Sequence, residues 1–286
     1  AGIKSLTYRP GGVFGSCRFK LKDIETDIEQ YKRLIEVFKA HNIGYFFYNG
    51  GNDSADTALK VSKISKKMGY ELTCIAIPKT VDNDLVITDS CPGFGSAAKY
   101  IATSTLEGSL DVQSMSESST KVFILEVMGR HAGWMAASSV LAKNEHQNAP
   151  HIILLPEITF NQKRFLDEVR NNVKNEGYCV VVVSEGVKNY KGSFLAESDT
   201  KDAFGHAQLG GVAPFISNLI SKNLKMKNHW AVADYLQRSA RHIASQTDLD
   251  HAQAVGKYAV RYAVEGMNGM MPVIKRLPTK SYKWIV

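Results

Sequence analysis

The polar residues between Pro78 and Asp84 are the part of the chain best suited to chemistry. The sequence Pro-Lys-Thr-Val-Asp-Asn-Asp presents an ammonium, a hydroxyl, an amide and two carboxylates. Repulsion between Asp82 and Asp84 favours a compensating cation, which Lys79 or a divalent metal ion could supply. One carboxylate could then bind the metal ion while the other accepts a proton from a substrate hydroxyl. The alternative is a solvated acidic turn without a chemical role.

A second polar turn has a composition typical of anion sites. Gly50 and Gly51 let the backbone approach a ligand, and Asn52, Asp53 and Ser54 follow them. Backbone amides and the helix dipole favour phosphate at such a place, and Asn52 and Asp53 could bring oxygen atoms to Mg²⁺. The alternative is an Asx turn that only caps the next helix.

Later segments carry residues that could bind a phosphorylated ligand. Arg130 follows Met128 and Gly129, and it could bind phosphate or pair with a surface carboxylate. Glu185 comes shortly after four consecutive valines, so its carboxylate needs a partner. A sugar hydroxyl, an internal arginine and a backbone amide are the candidates. The run 235–238, which contains a tyrosine and an arginine, is uninformative by itself.

Strands and helices alternate along the chain, and polar segments follow several of the strands. Apolar runs predict strands near 43–48, 72–78, 121–128, 152–156, 178–184 and 230–233. Helical spacing predicts helices near 23–41, 56–68, 95–110, 133–144, 163–176, 205–223 and 249–265. Such alternation predicts an α/β protein built from parallel β-α-β units. Ligands of such sheets bind beyond the carboxyl ends of the strands, which is where the polar turns lie.

Composition excludes several classes of protein. The 286 residues, 44% hydrophobic and 22% charged, suffice for one large domain or two ordinary ones and exclude disorder and small disulfide scaffolds. No apolar run approaches the ~20 residues that span a bilayer, so we expect no membrane partner. The net charge of +7 is dispersed, which is weak support for nucleic acid and suits phosphorylated metabolites equally well. We expect no nucleic-acid partner.

The cysteines and the first residues bear on the cellular compartment. The four cysteines show no paired metal-type spacing, so we expect reduced thiols. The opening residues lack the features of a secretory signal, which predicts a cytoplasmic protein, although an already processed chain would look the same.

Six ordered segments make the chain resemble the phosphofructokinase family, and more closely its pyrophosphate-dependent branch. The segments are Gly-Gly-Val-Phe-Gly-Ser-Cys-Arg (11–18), Gly-Gly-Asn-Asp-Ser (50–54), Pro-Lys-Thr-Val-Asp-Asn-Asp (78–84), Met-Gly-Arg-His-Ala-Gly (128–133), Ser-Glu-Gly (184–186) and Tyr-Leu-Gln-Arg (235–238). The resemblance implies two Rossmann-like lobes with mainly parallel sheets. Residues 1–95 with about 229–286 would form the phosphoryl-donor lobe, and residues 96–228 the sugar-phosphate lobe. The family's first strand and Gly-rich phosphate loop have no counterpart here, so we expect that they are truncated or unobserved.

The resemblance also implies a reaction. It is the reversible, Mg²⁺-dependent transfer of a phosphoryl group from pyrophosphate to the 1-hydroxyl of fructose 6-phosphate, giving fructose 1,6-bisphosphate and phosphate. By this resemblance Asp82 is the catalytic base, and Thr80 and Lys79 assist it. Arg18 would stabilise charge at the transition state.

The remaining site residues follow from the same resemblance. Mg²⁺ would be held by Asn52 and Asp84, although the family commonly has Asp at the position of Asn52. Diphosphate would be bound by Gly50, Gly51 and Arg18. The sugar phosphate would be bound by Thr80, Val81, Asp82, Met128, Gly129, Arg130, Glu185, Tyr235, Leu236, Gln237 and Arg238. Lys121 would reach the site of a neighbouring subunit, because the resemblance implies a homo-oligomer, a dimer or tetramer.

Two residues bear on the identity of the donor. ATP-using relatives commonly carry Gly where this sequence has Asp53 and Lys79. The Asp53 carboxylate would occupy the space that the α-phosphate of ATP needs, and Lys79 would place an ammonium beside the leaving phosphate. One alternative is an ATP-dependent phosphofructokinase. Another is a catalytically silent regulatory subunit that binds sugar phosphate, against which the intact 80–84 run argues.

Overall fold

The computed structural model describes residues 2–6, 9–17, 19–201 and 207–286. The helices, in chain order, are α1 (Gly2–Leu6), α2 (Ile28–Ala40), α3 (Asn52–Lys67), α4 (Phe94–Met115), α5 (Trp134–Ser138), α6 (Gln162–Glu176), α7 (Val212–Leu224), α8 (Leu236–Ser239) and α9 (Gln246–Val264). The strands are β1 (Tyr45–Gly50), β2 (Thr73–Pro78), β3 (Val122–Val127), β4 (Ile152–Leu154), β5 (Cys179–Ser184), β6 (Glu197–Lys201), β7 (Ala207–Leu209), β8 (Asn228–Val232), β9 (Lys275–Arg276) and β10 (Trp284–Ile285). None of the helices within these described ranges has the length and apolarity needed to cross a membrane.

The chain divides into two compact units. The large unit contains residues 1–15 and 96–245, and the small unit contains residues 16–95 and 246–286. The boundary after Gly95 is also the boundary of the predicted lobes. Residues 1–15 and 229–245, which the family resemblance assigned to the donor lobe, belong to the large unit. Which unit binds which substrate stays a prediction.

The small unit is built on the parallel pair β1–β2. Alternate residues of a strand point to the same face, and Phe46 lies on the face of β1 that α2 covers. Its ring packs on Phe38 of α2, with ring centroids 5.3 Å apart. On β2, Ile75 packs against Ala259 and Ala263 of α9. The pairing runs in register to the last residues of both strands, so the polar turns that follow β1 and β2 lie at the same edge.

The large unit contains a parallel sheet in the order β4-β5-β3-β8. Every residue of β5 is buried, as expected for a sheet covered on both faces. On one side Val181 and Val183 of β5 pack with residues of α6 and α7 such as Phe165 and Ile216. The segments that follow β3, β5 and β8 therefore leave the sheet at one edge. The predicted α/β class with mainly parallel sheets is confirmed.

Two predicted helices differ most from those observed, beginning with the one at 133–144. The α-helix covers only Trp134–Ser138 and continues as a 3₁₀ turn over Ser139–Ala142. The hydroxyls of Ser138 and Ser139 donate to the carbonyls of Met135 and Ala136, at 2.7 and 2.6 Å. Such bonds compete with the regular helical pattern, which explains the early end of the α-helix.

The helix predicted at 205–223 begins at Val212 instead. Gly205 lies outside the described residues. Gly210 and Gly211 have φ angles of 133° and 93°, which no right-handed helix allows. The antiparallel pairs β6–β7 and β9–β10 were not predicted from the sequence.

Candidate active site

The turn after β1 leads directly into a helix. Gly51 is the N-cap residue of α3, so Asn52 and Asp53 lie inside the first turn rather than ahead of it. The predicted alternative, an Asx side chain that caps the helix, is therefore wrong. A Cβ on Gly50 would lie 2.0 Å from the Ser54 hydroxyl, so only glycine fits there. The amino end of α3 thus presents backbone amides without a capping side chain, which suits an anion.

Asp53 has a cationic neighbour that sequence reasoning missed. The Lys20 ammonium lies 3.1 Å from Oδ1 of Asp53, and both side chains are roughly half exposed. The sequence contains no signal for this pair, since nothing in the spacing of the two residues predicts contact. The Asp53 carboxylate is therefore paired with a cation of the same unit.

The loop after β2 brings several predicted residues beside that turn. The backbone N–H of Lys79 donates to the carbonyl of Gly50 at 3.0 Å, which ties the two turns together. The N–H of Asp82 donates to the Thr80 hydroxyl at 3.2 Å. Lys79 is exposed, whereas Thr80, Val81 and Asp82 are partly buried. The loop therefore presents the ammonium to solvent and keeps the predicted base partly shielded.

The predicted metal ligands are also brought together. The side-chain N–H of Asn52 donates to Oδ2 of Asp84 at 3.2 Å. In this arrangement Asn52 offers a hydrogen, and rotation of its amide would offer the oxygen that a metal ion needs. Within the described part of the chain, no three His, Cys, Asp or Glu side chains gather in a metal-binding arrangement. The pair suits Mg²⁺, which commonly takes one or two carboxylates and completes its shell with waters and substrate phosphates.

A cavity of about 140 Å³ lies at the edge of the large sheet. Its walls come from the ends of β3, β5 and β8 and from the β7–α7 segment. It is lined by Glu126, Val127, Met128, Glu185, Leu209, Gly210, Val232, Asp234 and Gln237. Of these, Met128, Glu185 and Gln237 were predicted from the resemblance, and the others were missed.

The loops after β3 and β5 touch at this edge. The N–H of Gly129 donates to Oε1 of Glu185 at 3.4 Å, and the Ser184 hydroxyl donates to the Gly129 carbonyl. A Cβ on Gly186 would lie 2.0 Å from the carbonyl oxygen of Arg130, so the approach requires glycine. Glu185 therefore accepts a hydrogen bond from a backbone amide, which is one of the three kinds of partner predicted for it.

The segment after β8 adds a buried amide and an exposed aromatic–arginine pair. Gln237 is 1% exposed, accepts from the N–H of Met128 at 3.3 Å and donates to the carbonyl of Asp234 at 2.9 Å. The Arg238 guanidinium lies 4.0 Å from the centroid of the Tyr235 ring, close enough for a cation–π interaction. Gln237 thus anchors the segment while Tyr235 and its neighbour Leu236 remain exposed.

Glu126 is the most buried charged residue at this edge, and it was not among the site residues predicted from the sequence. It is 1% exposed, and its two oxygens accept from the N–H groups of Gly211 and Ala213 at 3.2 and 2.8 Å. Burial raises the pKa of this carboxyl, and the backbone N–H groups offset the increase only in part. Glu126 is the one charged residue in the apolar strand β3, and this pattern could have identified it from the sequence.

Two predicted residues stand apart from this grouping. Arg18 lies outside the described residues. Lys121 precedes β3, at the opposite end of that strand from Met128, and its ammonium donates to the carbonyls of Ser116 and Glu117. The structure does not bring Lys121 to the cavity of its own chain, and contact with a neighbouring subunit stays a prediction.

Comparisons with known proteins agree with these observations. A sequence model described as phosphofructokinase matches residues 1–263. A pyrophosphate–fructose 6-phosphate 1-phosphotransferase from Halomonas elongata is 61% identical over 284 residues, covering 99% of this chain and 68% of that protein. The corresponding protein from Methylococcus capsulatus is 59% identical over 282 residues, covering 99% of this chain and 67% of that protein. The crystal structure of a pyrophosphate-dependent phosphofructokinase from Nitrosospira multiformis is 56% identical, with a TM-score of 0.88, and the match covers 99% of this chain and 66% of that one. The chain thus spans about two thirds of the length of these relatives.

Proposed function

This chain belongs to the phosphofructokinase family, and from that membership we propose that it transfers a phosphoryl group from pyrophosphate to the 1-hydroxyl of fructose 6-phosphate. The products are fructose 1,6-bisphosphate and phosphate, and the reaction is reversible because donor and product have similar phosphoryl-transfer potentials. The observation that carries the proposal is the pairing of the two turns after β1 and β2. It places an uncapped helix amino end beside a loop with an ammonium and two carboxylates.

Pyrophosphate binding is proposed for the turn after β1. The amides that follow Gly50 and Gly51 and the dipole of α3 attract an oxygen of the diphosphate. Lys79, exposed on the neighbouring loop, stabilises the charge that develops on the leaving phosphate. Arg18, from outside the described residues, is proposed to contribute a second cation.

Asp82 is proposed to accept the proton of the attacking hydroxyl. The hydroxyl oxygen forms the new bond to phosphorus while the bond to the leaving phosphate breaks, and the proton passes to the Asp82 carboxylate. Thr80 orients this carboxylate by accepting the N–H of Asp82. When bound by Asp84 and Asn52, Mg²⁺ supplies neutralisation of the phosphate charge.

The sugar phosphate is proposed to bind the large unit. Glu185 is suited to accept from a sugar hydroxyl, because it faces a cavity edged by polar groups. Arg130 and Arg238 supply the cations that a phosphate group needs, and Tyr235 holds the guanidinium of Arg238. Lys121 is proposed to serve the site of a neighbouring subunit in a homo-oligomer, and the enzyme is proposed to act in the cytoplasm.

Asp53 is proposed to exclude ATP. Its carboxylate stands in the first turn of α3, where a nucleotide's α-phosphate would meet both its bulk and its charge. The Lys20 ammonium offsets that charge for the shorter pyrophosphate. We therefore assign the choice of donor to Asp53, which blocks ATP, while Lys20 preserves the affinity for pyrophosphate.

The test is formation of fructose 1,6-bisphosphate by the full-length protein with Mg²⁺ and fructose 6-phosphate. Parallel reactions receive pyrophosphate or ATP as the donor. We expect turnover with pyrophosphate alone, and a variant with Asp53→Gly and Lys79→Gly should gain use of ATP relative to pyrophosphate. Turnover of the unmodified protein with ATP would overturn the donor assignment. The absence of turnover with either donor would favour the alternative of a regulatory subunit.

A further inference from the structure

The loop that carries Asp82 is held by the segment 91–95. The backbone N–H of Thr80 donates to the sulfur of Cys91 at 3.1 Å, and the N–H of Cys91 donates to the side-chain oxygen of Asn83 at 2.7 Å. Thr80 also pairs with Gly93 as an isolated parallel bridge. Because Cys91 is fully buried, these contacts restrict the loop from the protein side.

One buried carboxylate from a distant part of the sequence holds the segment 91–95 in turn. Asp248 lies in the first turn of α9 and is 5% exposed. Its Oδ1 accepts the N–H of Gly93 at 2.9 Å. A Cβ on Gly95 would lie 3.1 Å from the Cβ of Asp248, so the two segments are in direct contact. Gly93 has a φ of 107°, a conformation that favours glycine.

The helix that carries Asp248 is itself fixed against the strand that leads into the loop. Ala259 and Ala263, further along α9, pack on Ile75 of β2. Since β2 ends immediately before Lys79, α9 contacts both the strand before the loop and the segment after it. A shift of its first turn would move Gly93 and the loop that pairs with it.

From these contacts we propose that Asp248 is a positioning residue for phosphoryl transfer, acting through Gly93 on the loop that carries Thr80 and Asp82. The proposal rests on the proposed function for the identity of the reaction. A misplacement of about 1 Å at a reacting group can cost on the order of 100-fold in rate. Turnover should therefore depend on Asp248 more than sugar-phosphate affinity does.

The kinetic test compares Asp248→Ala with Asp248→Asn in the full-length protein. Alanine removes the acceptor, whereas asparagine keeps a side-chain oxygen that can accept from Gly93. We expect kcat to fall on the order of 10- to 100-fold in the alanine variant, with the KM for fructose 6-phosphate within about threefold of wild type. The asparagine variant should recover most of the lost rate. Asp250→Ala, an exposed acid of the same helix that accepts from Gln246, is the matched control and should keep wild-type kcat.

Hydrogen exchange tests the same contacts without any activity measurement. In Asp248→Ala, the amides of residues 79–94 should exchange faster than in wild type or Asp250→Ala, whereas those of β3 and β5 should not change. Exchange at the wild-type rate in this segment overturns the proposal, as does a kcat within twofold of wild type.

A second variant covers the case in which Asp248→Ala does not fold. Cys91→Ala removes the sulfur that accepts from Thr80 and should lower kcat several-fold while speeding exchange of the same amides. Wild-type behaviour of that variant overturns the proposal. If wild-type protein shows no turnover, the proposed function fails while the exchange data still decide this inference. If wild type turns over and Asp248→Ala matches it, only the inference fails.

Discussion

The two carboxylates of the loop after β2 have different surroundings. Asp84 is exposed and accepts from the amide of Asn52, whereas Asp82 is partly buried and its backbone is tied to Thr80. Two acids with different environments can take different roles in one reaction. The exposed one suits a hydrated metal ion, and the shielded one suits proton transfer.

Replacing Asp82 tests the assignment of the base. In Asp82→Ser we expect kcat to fall by about 10²- to 10⁴-fold, because no side chain of suitable basicity remains beside the hydroxyl. The KM for fructose 6-phosphate should change little, because its proposed ligands lie mainly in the large unit. Steady-state kinetics measure both. Glu71→Gln, which alters an exposed acid just before β2, is the control, and a near-normal rate in Asp82→Ser would refute the assignment.

The pair formed by Lys20 and Asp53 gives a second prediction. Lys20→Met should raise the KM for pyrophosphate roughly two- to fivefold, the size expected for a partly exposed ion pair, because Asp53 then repels the donor without compensation. The KM for fructose 6-phosphate should stay constant. The double variant with Asp53→Asn should recover part of the loss, since the repelling charge is gone. A wild-type KM for pyrophosphate in Lys20→Met would show that the pair does not act on the donor.

At the level of the elements, α7 begins at a buried carboxylate from another strand. Glu126 of β3 accepts from the N–H groups of Gly211, the N-cap residue of α7, and of Ala213 in the first turn of α7. The contact joins the cavity edge to a helix amino end, where a negative charge is favourable. Burial disfavours the charged carboxylate, and it raises the pKa of Glu126 by more than the backbone N–H groups lower it.

The raised pKa of Glu126 predicts a pH dependence of stability. The folded protein keeps this proton above the ordinary pKa near 4.5, whereas the unfolded chain releases it there. From about that pH up to the folded-state pKa, the folded state binds more protons, so the free energy of unfolding falls as pH rises. Glu126→Gln cannot titrate and should lack this decrease.

Urea unfolding of both proteins between pH 4.5 and 8 measures the effect. The stability of wild type relative to Glu126→Gln should decline with rising pH across that window. Glu107→Gln, which changes an exposed acid on α4, should follow wild type. Parallel curves for wild type and Glu126→Gln would contradict the assignment.

Much of this element structure was predictable, and the failures have physical causes. The strands β1, β2, β3 and β5 are apolar runs ended by polar or glycine residues, which is a local signal. The contact between Glu126 and the start of α7 depends on residues far apart in sequence, which no local pattern encodes. The left-handed Gly210 and Gly211 likewise interrupt a segment whose composition favours a helix. The proximity of Asn52 and Asp84 was expected from the resemblance to the phosphofructokinase family, whereas that of Lys20 and Asp53 was not predicted.

At the level of the whole molecule, the shared-site prediction concerns Lys121. Its ammonium is engaged by carbonyls of its own chain, and it must leave them to reach a neighbour's substrate. Light scattering should give at least twice the mass of one full-length chain. Lys121→Met and Arg130→Met should each raise the KM for fructose 6-phosphate.

Mixed oligomers distinguish a shared site from a private one. When both variants are co-expressed, some sites combine the intact Arg130 of one chain with the intact Lys121 of its neighbour. Activity of the mixture should therefore exceed the sum of the two variants measured separately. Activity equal to that sum would show that Lys121 does not serve a neighbour's site.

The small unit is assembled from two stretches of chain separated by most of the large unit. During synthesis the ribosome must add residues 96–245 before α9 emerges to cover Ile75 and to hold Gly93. At ordinary translation rates that interval is on the order of ten seconds. The β1–β2 pair therefore has one apolar face uncovered, and the nascent chain is open to chaperones and proteases until α9 has been synthesised. The loop with Asp82 takes its final shape only then, so a chain that terminated between Arg238 and Gln246 would contain every predicted site residue but lack the contact that holds this loop.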